Sequence, residues 1–277
     1  MLIAHTPAKL HTELDALRTR GGRQQCVSLV TTRGEMHDGH GAVINAARTV
    51  GDIIVVAIMP PLGQTETADN LVTADQFQDI AFAERHETDV LYAPVPDPTT
   101  RTFATLDVKD LYSGPLHLDA PEATTLLEHV RILSAVQPDI VVWGERNYLE
   151  YRAVRQLITD LGLRTQIQCV PTVRHANGVA VSALDDELEE QERETLAILY
   201  QTLRNTAHAI RSGATNYSKV ENTARIALKG AGFEIQYVKI LDDHDLQPAG
   251  ATTSSFRILC SVSLNSKTIT DGLGLTL

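Results

Sequence analysis

His37 and His40 stand three residues apart around Gly39 in the run Gly34-Glu35-Met36-His37-Asp38-Gly39-His40. Imidazole can donate or accept a proton near neutral pH, and two of them can hydrogen-bond an anion where charge develops during a reaction. An apolar run, Cys26-Val27-Ser28-Leu29-Val30, precedes the pair, and an amphipathic pattern, Ala42, Val43, Ala46, Ala47 and Val50, follows it. Strand, glycine-bearing turn and helix N-terminus in that order make a phosphate site, because backbone N–H groups and the helix dipole both favour negative charge. The chemistry indicated is charge stabilisation on a transferred nucleotide. Taken alone, the segment is also an ordinary helix start with Asp38 in its first turn.

Two further segments carry suitable residue types. Gly144-Glu145-Arg146-Asn147 follows the apolar run Ile140-Val141-Val142-Trp143 and opens a helix. Gly144 would let a ligand approach the backbone, and Arg146 offers a permanent charge with a donor fork suited to phosphate. Asn147 also reads as a plain helix cap. In Pro171-Thr172-Val173-Arg174-His175-Ala176-Asn177-Gly178-Val179-Ala180, the Asn-Gly pair is a turn signal, and alone the segment reads as a hairpin linking two domains.

The elements that must position these residues are legible from periodicity. Short, nearly continuous apolar runs at 26–31, 53–59, 90–93, 140–143 and 166–170 alternate with helical patterns at 41–50, 74–87, 123–136 and 147–161. That rhythm predicts an α/β fold with a doubly wound parallel sheet, its strands buried on both faces. After Pro171 a long acidic helix runs from about 185 to 210, a shorter one covers 216–230, and strands follow at 237–241 and 256–264. Helices followed by strands predict a smaller C-terminal α+β domain. The expected division is 1–175 and 176–277. Ligands of an open parallel sheet gather beyond the strand carboxyl ends, so the loops at 31–40, 59–64, 144–147 and 172–185 are expected to form one cleft.

Composition narrows the function classes. The chain has 277 residues and a net charge of −11, which argues against a nucleic-acid or membrane-surface partner, since either calls for a basic footprint. Cys26, Cys169 and Cys260 lie far apart in apolar runs, with neither disulfide nor metal-ligand spacing. No apolar run reaches membrane-spanning length and the first residues lack the pattern of a secretory signal, so a cytoplasmic location is expected.

Together the segments resemble the pantothenate synthetase (pantoate–β-alanine ligase) family of H-x-G-H nucleotidyl transferases across nearly the whole chain. Thr31-Thr32-Arg33-Gly34-Glu35-Met36-His37-Asp38-Gly39-His40 stands where the family has Pro-Thr-Met-Gly-x-Leu-His-x-Gly-His. Gln137-Pro138-Asp139 and Gly144-Glu145-Arg146-Asn147-Tyr148 are similar to its Gln-Pro-Asp and Gly-Glu-Lys-Asp-Tyr. Val170-Pro171-Thr172-Val173-Arg174, Asn177-Gly178-Val179-Ala180 and Tyr237-Val238-Lys239-Ile240-Leu241-Asp242 also match. The resemblance implies a Rossmann-like nucleotidyl transferase domain, a C-terminal lid and a homodimer. It further implies ATP with Mg2+ as a substrate complex, attacked at its α-phosphate by a small hydroxy acid. The resulting acyl-adenylate would pass its acyl group to β-alanine or another amine.

Carried over by position, the resemblance implies catalytic roles for His37, His40 and Arg146, and nucleotide contacts for Thr32, Gly39, Gly144, Asn147, Val173 and Ser182. The acid would meet Arg33, Gln64 and Glu150, and no protein metal ligand is implied. The departures cluster around that acid and the closing segment. Arg33 replaces a methionine, Gln64 is displaced by one position, and Glu150 replaces a glutamine. Ser182-Ala183-Leu184-Asp185 replaces the Ser-Ser-Arg-Asn that closes over the triphosphate, and Arg146 stands for lysine. Three readings follow: a pantothenate synthetase with an altered pocket, a related adenylate-forming enzyme using a different acid, or a non-catalytic paralogue that keeps the fold.

Overall fold

Six parallel strands in the order β1-β4-β3-β2-β5-β6 form the main sheet, and three antiparallel strands in the order β7-β8-β9 form a second. The computed structural model describes residues 1–59, 74–95, 104–106, 112, 116 and 119–277. The chain divides into two compact units. The first comprises Met1–Val108, Pro121–Glu145 and Leu149–Val173; the second comprises Lys109–Ala120, Arg146–Tyr148 and Arg174–Leu277.

In the first unit the order is β1 (Leu2–Ala4), α1 (Pro7–Arg18), β2 (Val27–Thr32), α2 (Asp38–Val50), β3 (Ile53–Ile58), α3 (Ala74–Arg85), β4 (Val90–Tyr92), α4 (Ala123–Val136), β5 (Ile140–Gly144), α5 (Tyr148–Asp160, whose first residue is assigned to the second unit) and β6 (Gln166–Val170). Val27, Leu29, Val55, Val56, Val90 and Val141 are almost wholly buried, as central parallel strands covered on both faces require. Edge strand β6 instead alternates exposed and half-buried residues.

Helix α4 shows how one short motif organises this unit. Gln137 ends it in the left-handed region at φ 48°, and Pro138 cannot continue a helix. Asp139 then grips β2, its carboxylate accepting from the Val27 amide at 2.7 Å while its own amide donates to the Val27 carbonyl at 2.9 Å. Gln137-Pro138-Asp139 thus stops a helix and sets the β2/β5 register, Ser28 opposite Ile140 and Leu29 opposite Val141.

In that register the sheet's winding reverses between β2 and β5. Thr32 is level with Ile58 on one side, and Gly144 with Val170 on the other. The chain therefore leaves β2, β3, β5 and β6 at one rim, the usual place for a ligand in this architecture.

The second unit contains α6 (Glu190–Arg211), α7 (Tyr217–Gly230), β7 (Glu234–Asp242), β8 (Ser255–Leu264) and β9 (Lys267–Thr276). Its core joins Leu196, Leu203, Ile210, Leu228, Phe256 and Ile258. The acidic helix begins later than its composition suggests, because a separate 3-10 turn, Ala183–Asp186, precedes it. Neither β1, α1 nor β9 is marked by the apolar runs of the sequence. Among the described residues, no helix is long and apolar enough to cross a membrane.

Candidate functional site

The loop leaving β2 is built around a buried carboxylate. Gly34 and Glu35 both take positive φ, 93° and 50°, a conformation glycine adopts freely and glutamate does not. Asp79 of α3, 3% exposed, stabilises it by accepting from the amides of Glu35 at 3.1 Å and Met36 at 2.7 Å. A Cβ on Gly34 would lie 2.9 Å from the same carboxylate. The chain is thereby aimed into α2 with His37 as its N-cap.

Each histidine has a defined tautomer. His37 Nδ1 accepts from the Gly39 amide at 3.1 Å, and His40 Nδ1 accepts from the His37 amide at 3.2 Å. A backbone N–H can only donate, so in neutral imidazole the proton sits on Nε2 of both rings. The Nε2 of His40 lies 3.1 Å from Thr32 Oγ1, and the ring centroids are 4.2 Å apart. The helix start differs in one respect from the open amide cradle that the sequence predicts. The amides of Gly39 and His40 are already occupied, by His37 Nδ1 and the His37 carbonyl.

Beside this loop, three elements bring polar side chains together. Arg33, at the β2 exit, places Nη2 3.2 Å from Thr125 Oγ1 of α4 and 3.7 Å from Glu150 Oε1 of α5. His129 of α4 places Nε2 2.7 Å from the same Glu150 oxygen. His129 is 1% exposed and its ring lies 5.1 Å from that of Trp143. Arg33 and Glu150, two of the candidate acid contacts, are therefore partners. The third, Gln64, lies outside the described residues.

Of the remaining candidates in the first unit, Gly144 and Val173 lie at or beyond the same rim. A Cβ on Gly144 would touch Val43 Cγ2 of α2 at 3.4 Å, an ordinary van der Waals contact. Thr172, next to Val173, has a buried hydroxyl with no hydrogen-bond partner among the described residues.

The second unit holds Arg146, Asn147 and Ser182. Arg146 donates to the Val181 carbonyl at 2.9 Å. Burial holds its guanidinium below the ordinary arginine pKa, against the opposing pull of Asp271 and Asp185. Arg146 and Ser182 line one cavity with Val179, Leu184, Thr270 and Asp271; Asn147 is exposed and not among its lining residues. Asp185 accepts from the Ser182 amide at 3.1 Å and lies 2.9 Å from His175 Nε2, closing the 3-10 turn. Leu184 packs against the core of this unit. The Asn177-Gly178 turn forms as its sequence predicts, with Arg174 bridged to Ala180. Arg174 makes a bidentate pair with Asp271 at 2.7 and 2.8 Å.

Asp79, Thr125 and His129 carry no local signal. Each is one polar residue on an amphipathic helix, and its role depends on a partner distant in sequence.

Comparison with known proteins agrees with this architecture. The family model described as pantoate-beta-alanine ligase matches residues 2–273. The pantothenate synthetase of Pseudomonas aeruginosa is 30% identical over 285 residues, covering 98% of each chain. That of Methylococcus capsulatus is 28% identical over 279 residues, covering 96% of each. Among solved structures, pantothenate synthetase from Thermus thermophilus superposes with a TM-score of 0.80 at 24% identity, covering 99% of both chains. Pantoate-beta-alanine ligase from Francisella tularensis, complexed with beta-gamma ATP and beta-alanine, gives 0.69 at 20% identity, covering 99% of this chain and 97% of that one.

Proposed function

The chain belongs to the pantoate-beta-alanine ligase family, and from that premise we propose that it is an ATP-dependent acid–amine ligase working through an acyl-adenylate. The observation that carries the reading is the His37/His40 pair, held by backbone amides so that both rings keep their protons on Nε2. Donors fixed in advance stabilise a developing oxyanion without reorganising during the reaction.

In this scheme a carboxylate oxygen of the acid attacks the α-phosphorus of Mg·ATP. The bond from that phosphorus to its bridging oxygen breaks, and pyrophosphate leaves with the electron pair. His37 holds a phosphate oxygen as charge shifts onto it, and His40 joins it when its Nε2–H turns from Thr32 Oγ1 toward the nucleotide. The amine nitrogen then attacks the acyl carbon, loses a proton, and AMP departs. Gly39, Gly144 and Val173 are proposed to face the nucleotide, as is the buried Thr172 hydroxyl. Arg146, Asn147 and Ser182 are proposed to supply nucleotide contacts of their own. The Francisella tularensis relative, complexed with beta-gamma ATP and beta-alanine, supports ATP and β-alanine as two of the substrates. Assembly as a homodimer belongs to the same proposal.

ATP–pyrophosphate exchange across a panel of short carboxylic acids tests the reading. Acid-dependent exchange is expected, together with an ATP-induced rise in melting temperature. Absence of both would sink it. One observation favours a second reading, a nucleotide-binding protein that no longer ligates: Leu184 packs into the core of the second unit where the family places a charged clamp. A thermal shift with ATP but no exchange with any acid, and no AMP formed with any acid–amine pair, would support it.

A further inference from the structure

Between β5 and α5 the chain enters the second unit for three residues only, Arg146-Asn147-Tyr148, with Glu145 and Leu149 both in the first. So short a visit carries no core of its own and depends on individual side chains to hold it. Tyr148, 6% exposed, supplies that hold. Its hydroxyl donates at 2.5 Å to Oδ1 of Asp243, the residue directly after β7. Arg257 of β8 donates from Nε to the same oxygen at 3.0 Å, and its guanidinium lies over the Tyr148 ring, 3.7 Å from the centroid. Asp243 is itself fixed, its amide donating at 2.9 Å to the carbonyl of Ser255, where β8 begins. On β9, Gly274 pairs with Arg257, and a Cβ there would come within 3.0 Å of Nη2.

The ring and the hydroxyl of Tyr148 do different things. Stacking against a buried guanidinium supplies burial and cation–π attraction, which a phenylalanine would supply equally. The hydroxyl adds a short, directional bond to a carboxylate, which fixes where the ring stands rather than how well it is buried. Burying a hydroxyl and a guanidinium is costly unless both are paired. Here one carboxylate oxygen pairs both. Two residues before that ring stands Arg146, whose guanidinium donates to the Val181 carbonyl, also of the second unit. Resting on the adenylation reading above, we propose that Tyr148 is a positioning residue for Arg146. Its bond to Asp243 sets the three-residue segment within the second unit so that the Arg146 fork is presented to the phosphates.

Tyr148→Phe keeps the ring under Arg257 and removes only the hydroxyl bond. A small misplacement of a charge-stabilising group is costly, so kcat for ATP–pyrophosphate exchange should fall roughly ten- to a hundredfold. KM for the acid should stay within about twofold, because the lost interaction belongs to the transition state at the phosphates. Asp243→Asn keeps an oxygen that accepts from the hydroxyl and should be clearly faster than Tyr148→Phe. The decisive comparison is made in an Arg146→Ala background. There Tyr148→Phe should slow exchange by less than about twofold, since the group it positions is gone. Pyrophosphate release at stoichiometric enzyme reads the same ratio if exchange is too slow to follow. An unchanged kcat in Tyr148→Phe, or the same fold-loss with and without Arg146, overturns the inference while leaving adenylation intact. So does an Asp243→Asn variant as slow as Tyr148→Phe. An ATP thermal shift in the parent with no acid supporting exchange overturns it as well. Loss of both the thermal shift and all exchange in the parent would remove the adenylation reading itself, and this inference with it.

Discussion

Arg33 Nη2 lies 3.7 Å from Glu150 Oε1, joining two residues that each depart from the family pattern in charge. In sequence they look like separate anomalies, a cation for a methionine and an anion for a glutamine. In the structure each is the other's counter-charge, and His129 Nε2 meets the same Glu150 oxygen at 2.7 Å.

Arg33→Met and Glu150→Gln should accordingly be non-additive in stability. Either single change strands a charge that the other partly neutralised, while the double variant restores an uncharged pair. A double-mutant cycle by urea denaturation is expected to give a coupling of roughly 0.5–3 kcal/mol. Additive effects would mean the two charges do not sense each other.

His37 has both a capping and a proposed catalytic role, and these can be separated. His37→Asn keeps an acceptor for the Gly39 amide and should hold stability within about 0.5 kcal/mol of the parent, whereas His37→Ala should lose about 1 kcal/mol. Both should lower ATP–pyrophosphate exchange roughly 10²–10³-fold. If exchange tracks stability across the two variants, the histidine is only a cap.

Asp79→Ala removes the acceptor of two backbone amides in a loop with two consecutive positive φ angles. Unmet donors of this kind cost of order 2–4 kcal/mol together, so thermal unfolding should shift down by several degrees. ATP affinity should fall in parallel, because His37 follows directly. A variant with the parent's melting temperature would show that the loop keeps its shape unaided.

Gly178 takes φ +91°, and a Cβ there would collide with the Tyr200 ring. Gly178→Ala should cost about 1–2 kcal/mol from backbone conformation alone, plus whatever displacing Tyr200 requires. That ring also stacks under Arg174 at 4.1 Å, beside the buried Arg174–Asp271 pair. Near-ultraviolet circular dichroism should therefore change together with stability. An unchanged spectrum would mean that Tyr200 has not moved.

Burial in β8 raises the Cys260 thiol from an ordinary value of 9.0 to about 12. A pKa raised on folding favours the native state fully below pH 9, and the advantage is lost as pH rises from 9 toward 12, where the unfolded chain ionises first. Between those limits one thiol contributes a slope of about 1.4 kcal/mol per pH unit. Cys260→Ala should flatten the alkaline limb of stability by that amount, as read from urea midpoints across that range. Superimposable limbs would show that other groups, such as buried Tyr237, account for it.

Ala183→Ser combined with Leu184→Arg should raise exchange at least tenfold if the missing clamp is what limits the enzyme. It should also cost about 1 kcal/mol of stability, because Leu184 packs against an apolar core. No gain in exchange would place the limitation elsewhere.

The sequence by itself determined five of the six strands of the parallel sheet and the position of the histidine loop. Each rests on local signals: continuous apolar runs, and a glycine turn before an amphipathic pattern. The tertiary structure alone revealed that Asp79 holds the histidine loop and that Arg33, His129 and Glu150 belong together. It also revealed strand β9, where Gly272 and Gly274 pair with Leu259 and Arg257 of β8 and lie close beneath their side chains. Those facts are contacts between residues roughly 10 to more than 100 positions apart. Periodicity marks which face of an element is buried, but not which polar group on another element it will meet.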